Sequence, residues 1–289
     1  MSYKTLHVPI LFDDSVRATT RAALVLAKAM GGHVMGRHIR HENAYGPPAV
    51  FFAGIPNLTV AVKDRQAEAA GAYARALRAQ FEEICDAAGV DIIPETQIAS
   101  DTGPTASWTD TYGTLPHGFA TVARCADLSV VPRLGPKPDA LHRDVFESLL
   151  LNSGRPVLAV PASGLQALPE RIVVAWDGSL PATRAVSGAL PVLQRAKEVA
   201  VVSIGDEAAS DAASRCVLGL RRHGIQAEAV RRPRDRSLIA ERLLAEVEAQ
   251  GADLLVMGGY AHARMQETLL GGVTRHVLSQ GDTALLMAH

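Results

Sequence analysis

Residues 6–14 and 171–179 of this 289-residue chain are two versions of one segment. Leu6–Phe12 is a strand-like apolar run that ends in Asp13-Asp14-Ser15, and RIVVAWDGS ends in Asp177-Gly178-Ser179. An Asp or Ser behind a strand is a natural N-cap for the helix that follows. Alanine-rich segments at helical spacing come next. In the first they are Ala18, Ala22, Val25, Leu26 and Ala29, stopped by Gly31-Gly32; in the second, Ala182, Ala185, Ala189 and Leu193. Pro191 lies inside the second segment and predicts a kink or a restarted helix.

The correspondence continues. Strands are predicted at His33–Ile39 and Glu198–Ile204. A long helix follows the first, with Val62, Ala69, Tyr73, Leu77, Phe81 and Ile84 on one face up to Gly89; a shorter one runs from about Glu207 to His223 and ends at Gly224. Third strands are expected at Val90–Ile98 and Ile225–Val230. ADLSVV (Ala126–Val131) matches ADLLVM (Ala252–Met257), and RPVLAVP (Arg155–Pro161) matches DTALLMA (Asp282–Ala288). Asp14 and Asp177 are 163 positions apart, Asp127 and Asp253 only 126. The first copy therefore carries about 37 extra residues, assigned mostly to an insertion at Arg40–Thr59 and to the longer second helix. The expected division is 1–161, a linker at 162–170 of small, polar and proline residues, and 171–289. Five strands per copy alternating with helices imply a parallel sheet covered on both faces, with right-handed crossovers.

Composition narrows the function. Hydrophobic residues make up 48% and support real cores, while a net charge of −1 provides no basic field for nucleic acid. No apolar run approaches the ~18 residues that span a bilayer, and acids follow the first apolar run too soon for a signal peptide. Three scattered cysteines without a CxxC fit a reducing compartment, so a cytoplasmic location is expected.

Ala252–Thr274 concentrates the features that bind ligands. An apolar run, Leu254–Met257, breaks at Gly258-Gly259; a second pair, Gly271-Gly272, leads into Val273-Thr274. Glycine tolerates positive φ and has no Cβ to block a ligand. The first N–H groups of a helix have no internal partner and attract anions. In a parallel sheet, ligands sit beyond the carboxyl ends of the strands where strand order reverses. Asp177 after the first strand and Gly258 after the fourth both fall there, with Ser203 near the end of the second. An acid for a base or ribose and amides for phosphate are what a nucleotide site needs. An ordinary strand, loop and helix is the alternative. The first copy has PRLGPKPDALHRDV at the same place, where prolines lack N–H groups, so no cradle is expected and Asp13 is read as a helix cap. His33, His38 and His41 have no spacing that completes a metal site. P-loop, GxGxxG and GxSxG motifs are missing. The basic cluster Arg231–Arg236 reads as a solvated loop or as facing a ligand.

Together these pieces resemble a tandem universal stress protein over nearly the whole chain. The resemblance rests on the strand-plus-Asp starts, the ADL fourth strands, the GGY-(x)10-GGVTR loop and the closing strands. ATP-binding members carry G-x2-G-x9-G-[S/T]. Here Gly258 and Gly271 match the first and third glycines, Ala261 replaces the second, Gly272 replaces the Ser or Thr, and Val273-Thr274 restores the last residues. The resemblance implies two tandem Rossmann-like domains of the adenine nucleotide alpha hydrolase-like type, each a five-stranded parallel sheet with helices on both faces. Their fifth strands would help join the copies as a pseudo-dimer, which can pair further into a homodimer. It implies stress-linked binding of ATP, ADP or AMP by the second domain through Asp177, Ser203, Gly258, Gly259, Ala261, His262, Gly271, Gly272, Val273 and Thr274. No motif positions a general base, so a slow ATPase is the most that enzymatic chemistry amounts to. Neither nucleic acid nor membrane is an expected partner. The alternative is a nucleotide-independent scaffold that docks a protein through the apolar stretch 47–56, which contains Phe51-Phe52.

Overall fold

The computed structural model describes residues 2–11, 13–40, 56–97, 103–233, 239–259 and 272–289. The first half runs β1 (Thr5–Ile10), α1 (Asp13–Met30), β2 (His33–Arg40), α2 (Pro56–Ala87), β3 (Asp91–Ile92), a 3-10 turn at Glu95–Gln97, β4 (Thr105–Tyr112), α3 (His117–Ala123), β5 (Leu128–Pro132), α4 (Ala140–Asn152) and β6 (Val157–Val160). The second runs β7 (Arg171–Ala175), α5 (Leu180–Leu193), β8 (Glu198–Ile204), α6 (Glu207–Arg222), β9 (Ala227–Arg232), α7 (Ile239–Ala249), β10 (Leu254–Gly258), α8 (Gly272–Gln280) and β11 (Ala284–Ala288).

All strands lie in one sheet of order β3-β4-β2-β1-β5-β6-β11-β10-β7-β8-β9. Pairs within each half are parallel. The halves meet where β6 and β11 pair antiparallel, Leu286 opposite Leu158. Side chains alternate across the sheet because successive Cβ atoms point to opposite faces. In β10, Leu254 and Val256 join the apolar layer of α1, α2, α5 and α6. Leu255 and Met257 join the layer of α3, α4, α7 and α8. Burial on both faces explains why these strands read as continuous apolar runs. The expected α/β class with helices on both faces is the fold observed.

Three details differ from expectation. The third strand of the first half is not Val90–Ile98. Only Asp91–Ile92 pairs as β3, at the sheet edge, and Pro94 has no N–H with which to extend it. The full strand beside β2 is β4, TASWTDTY, which gives the described residues of the first half six strands. Its polar residues hide it from an apolar pattern; its first three residues are buried, and their hydroxyls meet His33, Thr105 Oγ1 at 2.8 Å and Ser107 Oγ at 2.9 Å. The extra length of the first half is therefore split three ways, between the 41–55 segment, α2 at 32 residues against 16 in α6, and the stretch that precedes β4. Lastly, α5 runs through Pro191 without a break; the proline is buried in the last turn and lacks the N–H that would donate to the carbonyl of Ser187. Of the apolar insertion, Pro47–Ile55 with Phe51 and Phe52 lie outside the described residues, and Pro56 begins α2.

Candidate functional site

The strand order of the second half reverses between β7 and β10, which are neighbours. Their carboxyl ends define a crevice of the kind that holds ligands in open α/β sheets. Asp177 is exposed at its rim and accepts the Ser179 amide at 2.9 Å. Gly178 makes this tight turn with φ at 75°, a value that favours glycine. Ser179 then caps α5 by accepting the Ala182 amide at 3.3 Å.

Gly258 has a packing role. A Cβ at this position would lie 2.5 Å from Ala182 N and 2.7 Å from the Pro181 carbonyl carbon. Only glycine lets the end of β10 press against the first turn of α5, and this contact brings the Asp177 loop and β10 together. Gly259 departs from expectation as an outward donor. Its N–H donates to Ala288 O at 2.9 Å and its carbonyl accepts from His289 Nδ1 at 3.1 Å. The C-terminal strand takes this amide, leaving none for phosphate.

Gly272 begins α8, is exposed, and no described residue comes within 4 Å of where a Cβ would stand. Val273 packs partly against the core and Thr274 is buried, so the side chains of the first turn point inward. The N–H groups of Gly272, Val273 and Thr274 occupy a helix start with no intrahelical acceptor. Ala261, His262 and Gly271 lie outside the described residues.

At the end of β8, Ser203 is 1% exposed and its Oγ has no hydrogen-bond partner among the described residues. Beside it stands Trp176, whose amide donates to Val202 O at 2.8 Å; its indole Nε1 is likewise buried without a partner. Buried polar atoms are normally satisfied, so two adjacent exceptions need a reason. Sequence reasoning named Ser203 and missed Trp176. The available signal was its position directly before Asp177.

The first half places different groups at the equivalent positions. Ile10 pairs with His38, and His38 Nδ1–H donates to Ile10 O at 2.9 Å. The His38 ring lies against Trp108 and Tyr73, each with centroids 6.4 Å away. Beyond β5, Asp139 accepts the amides of Leu141 at 2.8 Å and His142 at 3.4 Å and so caps α4. A carboxylate of the chain holds the place an anion would take. A separate cleft of about 790 Å³ opens at the opposite, amino-terminal ends of β7, β8 and β9. Arg171, Lys197 and Arg221 line it together with Glu198 and Glu228, and Lys197 pairs with Glu170 at 2.6 Å. Its charges largely cancel, and it stands away from Asp177.

No protein-family model matches the sequence, and neither does any curated protein. Solved structures match in fold. A universal stress protein from Archaeoglobus fulgidus DSM 4304 superposes with a TM-score of 0.73, over 99% of this chain and 96% of that one, at 15% identity. The chain has the universal stress protein fold. A functionally unknown protein from Pseudomonas aeruginosa PAO1 matches at a TM-score of 0.55 and 13% identity, over 98% of this chain and 92% of that one. At these identities the likeness is one of architecture. Within the universal stress protein fold, the β7–β10 crevice is the switch point of the second half. Among the described residues, no helix is long and apolar enough to cross a membrane.

Proposed function

We propose that the chain is a universal stress protein whose second half binds an adenine nucleotide, ATP or its ADP and AMP forms, as a stress-linked sensor. The observation that carries this reading is the buried pair Trp176 Nε1 and Ser203 Oγ beside Asp177, which have no hydrogen-bond partner among the described residues. An unsatisfied buried polar group costs about 1–3 kcal/mol. A ligand that bonds both atoms recovers that cost, and a purine edge carries the acceptors and donors to do so. Asp177 suits a ribose hydroxyl. The open first turn of α8, Gly272 to Thr274, suits phosphate. The covalent pseudo-dimer reading is supported by the β6–β11 pairing. Among the described residues none in the crevice is placed as a general base, and binding, in a cytoplasmic setting, is the activity proposed.

The test is calorimetric titration with ATP, ADP, AMP and adenosine, joined to a thermal-shift series. Ligand at about 100 times its Kd adds about 2.7 kcal/mol and should raise the Tm by several degrees. Trp176 fluorescence, read in a Trp108→Phe background, should respond to each ligand that contains adenine. No heat and no shift at millimolar ligand removes the proposal.

A further inference from the structure

Arg133 follows β5 in the first half, yet its guanidinium ends in the second. Nη1 donates to Thr283 O at 2.5 Å and Nη2 donates to Val277 O. Val277 is in the last turns of α8, and its carbonyl also accepts the Gly281 amide at 3.2 Å. A cation there adds a second hydrogen bond to that carbonyl and opposes the negative end of the helix dipole. Burial pushes the Arg133 pKa down to about 10, with Asp282 opposing, so it stays charged at neutral pH.

The second half is shaped to receive this side chain. A Cβ on Gly281 would lie 2.5 Å from Arg133 Nη2, so the absence of a side chain at 281 admits the guanidinium. The backbone of Arg133 is fixed in turn by its amide, which donates to Val160 O at 2.7 Å. Gly259 stands at the matching place after β10, with the matching bond to Ala288 O, and has no side chain to send back. The link therefore runs one way, from the first half into α8.

We propose that Arg133 is a positioning residue by which the first half holds α8, and with it the Gly272–Thr274 amides, at the crevice of the second half. Its effect on ligand rests on the nucleotide reading above; its effect on α8 does not. The first half, whose own helix start is closed by Asp139, thereby sets the phosphate end of its neighbour's site.

The experiment uses the full chain with Arg133→Ala, Arg133→Lys, Gly281→Ala and the Arg133→Ala/Gly281→Ala double variant. Hydrogen exchange at Val277–Gln280 should speed about tenfold in both single alanine variants, with the strands of both halves unchanged. Arg133→Lys should fall between. The double variant should match the singles, because the two changes remove one contact. ATP affinity should fall about tenfold while adenosine, which lacks phosphate, binds as it does to the parent. Unchanged exchange in α8 overturns the assignment whatever the nucleotide results. Faster exchange with ATP affinity intact also overturns it and leaves the nucleotide reading standing. A parent chain that binds no ATP overturns that reading and the coupling to ligand, and the exchange data then decide the hold on α8 alone.

Discussion

Asp253 accepts the backbone amide of Arg171 at 2.9 Å and that of Glu170 at 3.0 Å. Asp127 repeats the arrangement in the first half, with Lys4 at 2.7 Å and Thr5 at 3.0 Å. The aspartate of each Ala-Asp-Leu segment ties the start of one strand to the start of its neighbour. Charge-assisted bonds of this kind are stronger than neutral ones. Asp253→Ala should lower unfolding stability by about 1–2 kcal/mol, read as a shift in urea midpoint without a change in slope. Asp253→Asn should lose less.

The pH dependence of stability should follow His7. It is fully buried, its Nδ1 lies 3.1 Å from Ser129 Oγ, and burial, reinforced by Arg37, pushes its pKa down to about 3. Unfolded, the ring titrates near 6.5. Between those values the unfolded chain binds a proton that the folded chain refuses, so acid favours unfolding. His7 stability is whole above pH of about 6.5 and falls by about 1.4 kcal/mol per pH unit below it. His33, lowered chiefly by burial, acts in the same sense. Urea titrations between pH of about 7 and 4.5, above most carboxylate titration, should show this slope. His7→Asn should flatten it while lowering stability at neutral pH.

Two glycines near the crevice should respond in opposite ways. Gly258→Ala drives a methyl against backbone atoms of Pro181 and Ala182, which cannot turn aside, and should cost about 1–3 kcal/mol. Gly272→Ala meets nothing within 4 Å among the described residues and should be neutral or stabilise by up to ~1 kcal/mol. If Gly258→Ala melts with the parent, the close packing of β10 on α5 is wrong.

Asp139 should act as a cap and nothing more. Asp139→Ala should cost about 1 kcal/mol. Calorimetry on this variant should show no new ATP site in the first half, because Pro136 and Pro138 leave the preceding loop without those two amides.

Legibility followed distance along the chain. The strand ends, the Asp-Gly-Ser turn and the helix starting at Gly272 rest on residues a few positions apart, and each was readable. β4 was not, because its Thr and Ser look solvent-facing until His33, about seventy residues earlier, supplies their partners. Gly258 and Gly259 were read as ligand-facing, whereas their neighbours Ala182 and Ala288 assign them packing and a closed amide. Trp176 looked like one more apolar residue at a strand end.

From residue order alone came the duplication, the α/β alternation and the strand ends that form the β7–β10 crevice, since periodicity and glycine spacing are local signals. Packing settled which polar groups stay unsatisfied and which are consumed. It also settled that Arg133 reaches Thr283, 150 positions away. Such pairings depend on which strands become neighbours, and hydrophobic burial of the whole sheet sets that order.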